Sequence, residues 1–118
     1  MKRLLILAVL IFLLSAPAYS QSYSDFETED IDGNTIRLNS FVEKGPVMLG
    51  FWRSFCSSCK EEQRNMQVIY EKYRNNGFTY IGVNIEYQKT VSKVKSFVTA
   101  MGFTFPVILD LDKKIFEM

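Results

Sequence analysis

Two cysteines stand three positions apart in Trp52-Arg53-Ser54-Phe55-Cys56-Ser57-Ser58-Cys59-Lys60, where an apolar run from Val47 to Trp52 gives way to an amphipathic segment. A Cys-x-x-Cys pair on the first turn of a helix has sulfurs close enough to bond, and its first thiol faces the unpaired backbone N–H groups of the helix end. The chemistry this predicts is thiol-disulfide exchange. Helix N-termini lower cysteine pKa values from about 8.5 to roughly 3.5–7.5 by stabilising the thiolate, which is the attacking species. Cys56 is the better-placed nucleophile, and Cys59, one turn deeper and directed toward the sheet, is placed to resolve the mixed disulfide. Arg53 and Lys60 add positive potential, while Glu61 and Glu62 oppose it. Ser57 and Ser58 offer hydroxyl donors without ring rigidity, which bears on the redox potential.

Other readings of the pair remain open. A purely structural disulfide between residues three apart closes a very small loop and constrains the unfolded chain little. A two-cysteine Cu(I) site, completed by methionine or by a second chain, would make the protein a non-catalytic carrier or partner-binding module. Histidine is absent. That removes Cys-His and Ser-His nucleophile pairs and mixed Cys/His metal sites, so no cofactor and no resident metal is expected. Glu86 reads either as a buried acid that moves protons for Cys59 or as a solvated loop carboxylate, the second reading being favoured. Met66, Tyr70 and Tyr73, like Phe97 and Met101, fall at helical spacing and are expected in the core.

The elements that must position the cysteines are legible as alternating periodicities. Asp32-Gly33-Asn34 is a turn signal between Phe26–Ile31 and Thr35–Leu38, predicting a small β-hairpin. Gly45-Pro46 precedes the near-continuous apolar run Val47–Trp52, as in a strand buried on both faces. From Cys59 an inward stripe of Gln63, Met66, Ile69, Tyr70 and Tyr73 predicts a helix that Gly77 stops. Phe78–Ile85 reads as a second strand, Val91–Met101 as a helix ended by Gly102, and Pro106–Leu109 as a third strand. Asp110–Met118 starts as a turn and is expected to begin a short helix. This β-α-β-α-β order predicts an α/β fold of parallel strands joined by right-handed crossovers.

The chain has 118 residues, 47% hydrophobic and 23% charged, which suits one domain. Residues 1–20 have the layout of a signal peptide: Lys2 and Arg3, an apolar run from Leu4 to Leu14, then Ser15-Ala16-Pro17-Ala18-Tyr19-Ser20, with cleavage after Ala18 or Ser20. The apolar run is short of the roughly 20 residues a membrane span needs, so no stable anchor is expected after cleavage. The competing reading is an uncleaved N-terminal anchor. Without Lys2 and Arg3, 12 basic residues face 13 acidic ones, a net charge of −1 that gives no field for nucleic acid. An exported chain enters an oxidising compartment, taken here to be the periplasm, where such a pair is expected to be oxidised unless a partner reduces it.

On these residues the chain resembles the TlpA/ResA-like group of extracytoplasmic thioredoxin-fold thiol-disulfide oxidoreductases, within the redoxin (AhpC-TSA) superfamily. The resemblance runs through Asp32–Leu38, Gly45–Trp52, the Phe-Trp-x-x-aromatic-Cys-x-x-Cys segment ending at Cys59, Ile81–Ile85 and Phe105–Asp110, nearly all of the chain after the leader. It implies a thioredoxin-like fold with an N-terminal β-hairpin, a mostly parallel central sheet and flanking helices. It also implies exchange with protein thiols, supported by a membrane-linked or soluble thiol reductant. Phe55 and Ser58 stand where that group usually has Trp and Pro, and Tyr87 where some members have an acid. Members continue past the position of Met118 into a cis-proline loop, a β-hairpin and a covering helix. The chain is therefore expected to be a truncated form of the fold, with one edge of the Val47–Trp52 strand unpaired. A peroxiredoxin-like enzyme is the nearest rival, but Leu49 and Arg53 stand where its peroxide loop needs Pro and Thr/Ser.

Overall fold

The computed structural model describes residues 22–87 and 91–118, so the predicted leader lies outside the described residues. In chain order the elements are β1 (Glu27–Glu29), β2 (Thr35–Arg37), α1 (Leu38–Val42), β3 (Val47–Trp52) and α2 (Ser57–Tyr73), which a 3-10 turn at Arg74–Asn76 extends. β4 (Thr79–Asn84), α3 (Val91–Met101) and β5 (Val107–Leu109) follow. β1 and β2 form the predicted antiparallel hairpin, with Asp30 accepting from the backbone of Asp32 and Asn34 across its turn. β3, β4 and β5 form a parallel sheet in that order. An Asp30–Ile108 bridge and the Ile31 N–Val107 O bond attach the hairpin to β5. Among the described residues β3 pairs only with β4, so its other edge is open, as expected.

Residues of alternating parity on the strands feed two cores, and β4 is buried on both faces as its apolar run predicts; β3 is not, with Met48 43% exposed and Val47, Leu49 and Phe51 only partly buried. On one face Trp52, Tyr80 and Val107 pack with Met66 of α2 and with Val94 and Val98 of α3. Both crossover helices therefore cover the same face. On the other, Ile81, Val83 and Ile108 pack with Ile36 and are joined by Phe26, Phe41 and Ile115. Gly77, with φ of 90°, ends the α2 segment in the left-handed conformation that glycine adopts without cost, as the sequence predicts.

Two local expectations are corrected, and one element is not foreseen. Ile69 (40% exposed) and Tyr73 (44% exposed) do not belong to the inward stripe of α2, which is centred on Gln63 and Met66. Gln67 reaches Thr104 on one shoulder of the helix, and Tyr73 is the last helical residue. Leu38–Val42 forms a single helical turn where the sequence shows none, because five residues are too few to display a period. Asp110–Met118 forms turns without a helix: the buried Asp110 carboxylate accepts from the backbone N–H groups of Ile115 and Phe116, and Lys113 takes a positive φ of 57°.

A polar pair is buried between α2 and the sheet. Tyr80 Oη donates to Gln63 Oε1 at 2.9 Å, and both residues are fully buried. Burial, opposed in part by the Gln63 bond, pushes the Tyr80 hydroxyl from 10.0 up to about 12. A raised folded-state value means that this contribution is fully present below pH 10 and is lost as the pH rises through 12. The chain is expected to lose roughly 2–3 kcal/mol of stability over that window through this residue. Urea unfolding at pH 9 and pH 12 checks it, because the loss attributable to this group must vanish in Tyr80→Phe.

Candidate active site

β3 delivers its last residue, Trp52, into the core, and the chain then turns outward through Arg53, Ser54 and Phe55 to the start of α2. Cys56 N donates to Arg53 O at 3.3 Å, closing that turn. Cys56 has extended backbone angles (φ −89°, ψ 111°) and is the N-cap of α2, and its carbonyl accepts the first helical bond, from Lys60 N at 3.1 Å. Its sulfur takes the place usually held by a Ser or Asp oxygen, accepting from Cys59 N at 3.3 Å, with Ser58 Oγ 3.4 Å away. Cys56 and Cys59 are joined in a disulfide, with Cα atoms 5.2 Å apart.

The two sulfurs have different surroundings. Phe55 (68% exposed), Ser57 and Ser58 leave the Cys56 side open to solvent, whereas Cys59 packs against the core cluster that contains Trp52 and Met66. No acidic residue occupies the first turn of α2. Two cations flank it: the Arg53 guanidinium lies 5.8 Å from the Phe55 ring centroid, and the Lys60 ammonium 5.6 Å from that of Phe97. The helix end, an amide donor on the sulfur and these cations all favour a thiolate at Cys56 when the bond is opened.

A scan of known families finds that residues 20–118 match the AhpC/TSA family. The chain belongs to the AhpC/TSA family. Among its curated relatives, the thiol-disulfide oxidoreductase ResA of Halalkalibacterium halodurans is 32% identical over 120 aligned residues, covering 92% of this chain and 66% of the relative. ResA of Bacillus subtilis is 33% identical over 93, covering 79% and 50%. This AhpC/TSA chain thus spans between half and two thirds of the length of these relatives. Among solved structures, StoA of Bacillus subtilis superposes with a TM-score of 0.65 at 26% identity, covering 83% of this chain and 72% of that one. A thiol:disulfide interchange protein of the thioredoxin family from Chlorobium tepidum superposes at 0.69 with 24% identity, covering 80% and 63%. The fold is the thioredoxin-like α/β fold, as the sequence resemblance implies.

One expectation about the site fails. Glu86 is not a solvated loop carboxylate: it is 4% exposed and directed at the loop before Cys56. Its Oε2 accepts from Ser54 N at 3.0 Å and from Asn84 Nδ2 at 2.8 Å, and its Oε1 accepts from Ser54 Oγ at 2.7 Å. Thirty-two positions separate Glu86 from Ser54, and no local pattern signals a contact at that range. Its position just beyond a buried strand that ends in Asn84 was the one available hint. Tyr87 is exposed. Among the described residues no group of three or more Cys, Asp or Glu side chains is arranged to hold a metal ion.

Proposed function

We propose that the chain is a thiol-disulfide oxidoreductase that exchanges the Cys56–Cys59 pair with the thiols and disulfides of other proteins outside the cytoplasm. The observation that supports this best is the placement of one sulfur as the N-cap of α2, accepting an amide donor beside an exposed surface, with its mate one turn deeper against the core. The relatives named thiol-disulfide oxidoreductase ResA favour the same reading. The geometry supports the catalytic roles in this reading: Cys56 attacks and Cys59 resolves.

In the reducing direction, the Cys56 thiolate attacks one sulfur of a substrate disulfide. A Cys56–substrate bond forms, and the other substrate sulfur leaves as a thiolate that takes up a proton. Cys59, giving up its proton, attacks the Cys56 sulfur and expels the second substrate thiol. Substrate gains two electrons, and the pair loses two in becoming the disulfide. A thiol reductant, soluble or linked to the membrane, resets it; the oxidising direction is the same sequence in reverse.

Residues 1–20 direct export in this reading, are removed after Ala18 or Ser20, and leave one domain over residues 21–118. No helix among the described residues is long and apolar enough to cross a membrane. Reduction of insulin by dithiothreitol tests the activity: catalytic amounts of the chain are expected to accelerate it. A rate equal to that of dithiothreitol alone would set the proposal aside. Tight, stoichiometric Cu(I) binding lost in either cysteine variant would then support the carrier reading.

A further inference from the structure

The exchange mechanism uses only the two sulfurs and the end of α2, yet a buried carboxylate is committed to the loop that carries one of them. We propose that Glu86 is the positioning residue for Cys56: its carboxylate locks Ser54 and so holds the Cys56 sulfur at the N-cap of α2. This role rests on the oxidoreductase reading and adds a residue to it.

Four observations converge on this role. Glu86 belongs to a rigid frame, because Ile85 N donates to Trp52 O at 3.1 Å and Asp110 N to Asn84 O at 2.9 Å, bolting the end of β4 to both neighbouring strands. Glu86 is fixed within that frame by Asn84, a fully buried residue whose side chain donates to the carboxylate and accepts from Glu86 N at 3.1 Å. Both carboxylate oxygens then reach across to one residue, gripping the amide and the hydroxyl of Ser54. Finally, Ser54 lies two residues before Cys56, so their Cα atoms are within about 7 Å even if the chain between them is fully extended. A loop tied at Ser54, with Cys56 N bonded to Arg53 O, leaves little freedom for where α2 begins.

Burying a carboxylate is costly unless each oxygen is satisfied, so a purely structural role would be met as well or better by an apolar side chain. The arrangement instead yields a fixed geometry at the reactive cysteine. Small misplacements of reacting groups slow reactions strongly, and one hydrogen bond of this kind corresponds to a factor of roughly 2–10 in an equilibrium.

Glu86→Ala would remove position and charge together, so the two are separated by other variants. In a Cys59→Ala background Cys56 is the only thiol, and its alkylation by iodoacetamide, a neutral reagent, reads its reactivity. Ser54→Ala keeps the charge and loosens the grip; it is expected to slow alkylation about threefold or more. Ser54→Thr restores the hydroxyl and is expected to restore the rate. Glu86→Gln removes the charge but keeps an oxygen for the two N–H donors, and its amide N–H faces a hydroxyl that can turn to accept; it is expected to alkylate at least as fast as the parent. Melting temperatures measured alongside separate reactivity from stability. Parent-like alkylation in Ser54→Ala, failure of Ser54→Thr to restore the rate, or a Glu86→Gln variant slowed as much as Ser54→Ala would overturn the role. A parent that alkylates as expected but leaves insulin unreduced overturns the oxidoreductase reading alone.

Discussion

Cys56→Ala is expected to reduce insulin no faster than dithiothreitol alone, and Cys59→Ala to stall with substrate attached. The asymmetry follows from the surroundings of the two sulfurs. Cys56 is the N-cap acceptor beside an exposed surface, so in the proposed cycle removing it takes away the atom that opens the substrate disulfide. Removing Cys59 is expected to leave that first attack intact and abolish the internal second one. Resolution must then wait for an external thiol, and an intramolecular nucleophile held in position commonly outperforms millimolar external thiol by several orders of magnitude. Turnover in Cys59→Ala is expected to fall at least about a hundredfold, with adducts accumulating to one per chain. Non-reducing gels and intact mass measure the adduct. Equal adduct formation through either remaining cysteine would contradict the assigned roles.

The second large effect is expected at Trp52. It is 1% exposed, sits at the end of β3 immediately before the cysteine loop, and packs with its ring centroid 5.4 Å from that of Phe97. Trp52→Ala empties a large site in the core shared by both crossover helices, a change that typically costs about 3–5 kcal/mol. Domains of this size have roughly 5–15 kcal/mol in total, so the variant is expected to be largely unfolded or close to it. Trp52→Phe should cost much less. It keeps an aromatic ring against Phe97 and removes an indole N–H that has no partner among the described residues, offsetting part of the lost packing. Urea unfolding followed by far-UV circular dichroism distinguishes the variants, since Trp52 is the only tryptophan. A Trp52→Ala midpoint within experimental error of the parent would show that this core does not support the site.

Much of this architecture is readable from the sequence because its signals are local. Val47–Trp52 and Phe78–Ile85 announce parallel strands by largely apolar runs, Gly77 and Gly102 mark helix ends, and Cys-x-x-Cys at a strand-to-helix junction points to thiol chemistry. What escaped depends on pairings between distant segments. Gln63 reads as an uncharged member of a helical stripe, yet it is completely buried and paired with the Tyr80 hydroxyl from the next strand. Glu86 looks like a surface acid until Ser54 and Asn84 are placed around it. Ile69 fits the helical spacing yet is 40% exposed, because periodicity reports a face of the helix but not how wide a strip of it is covered. The charges near the dithiol show the same limit: residue types alone left their balance open, whereas the structure draws Arg53 and Lys60 onto aromatic rings and leaves the first turn of α2 free of acids.

On the proposed roles, the sulfur at the helix tip is the nucleophile and the one packed against the core is not. Treating the fully reduced chain with a small fraction of an equivalent of iodoacetamide near neutral pH, then mapping the modified peptide by mass spectrometry, tests this directly. The label is expected on Cys56 with at least about tenfold preference over Cys59, in line with thiolate stabilisation at a helix N-terminus. Equal labelling, or preference for Cys59, would contradict it.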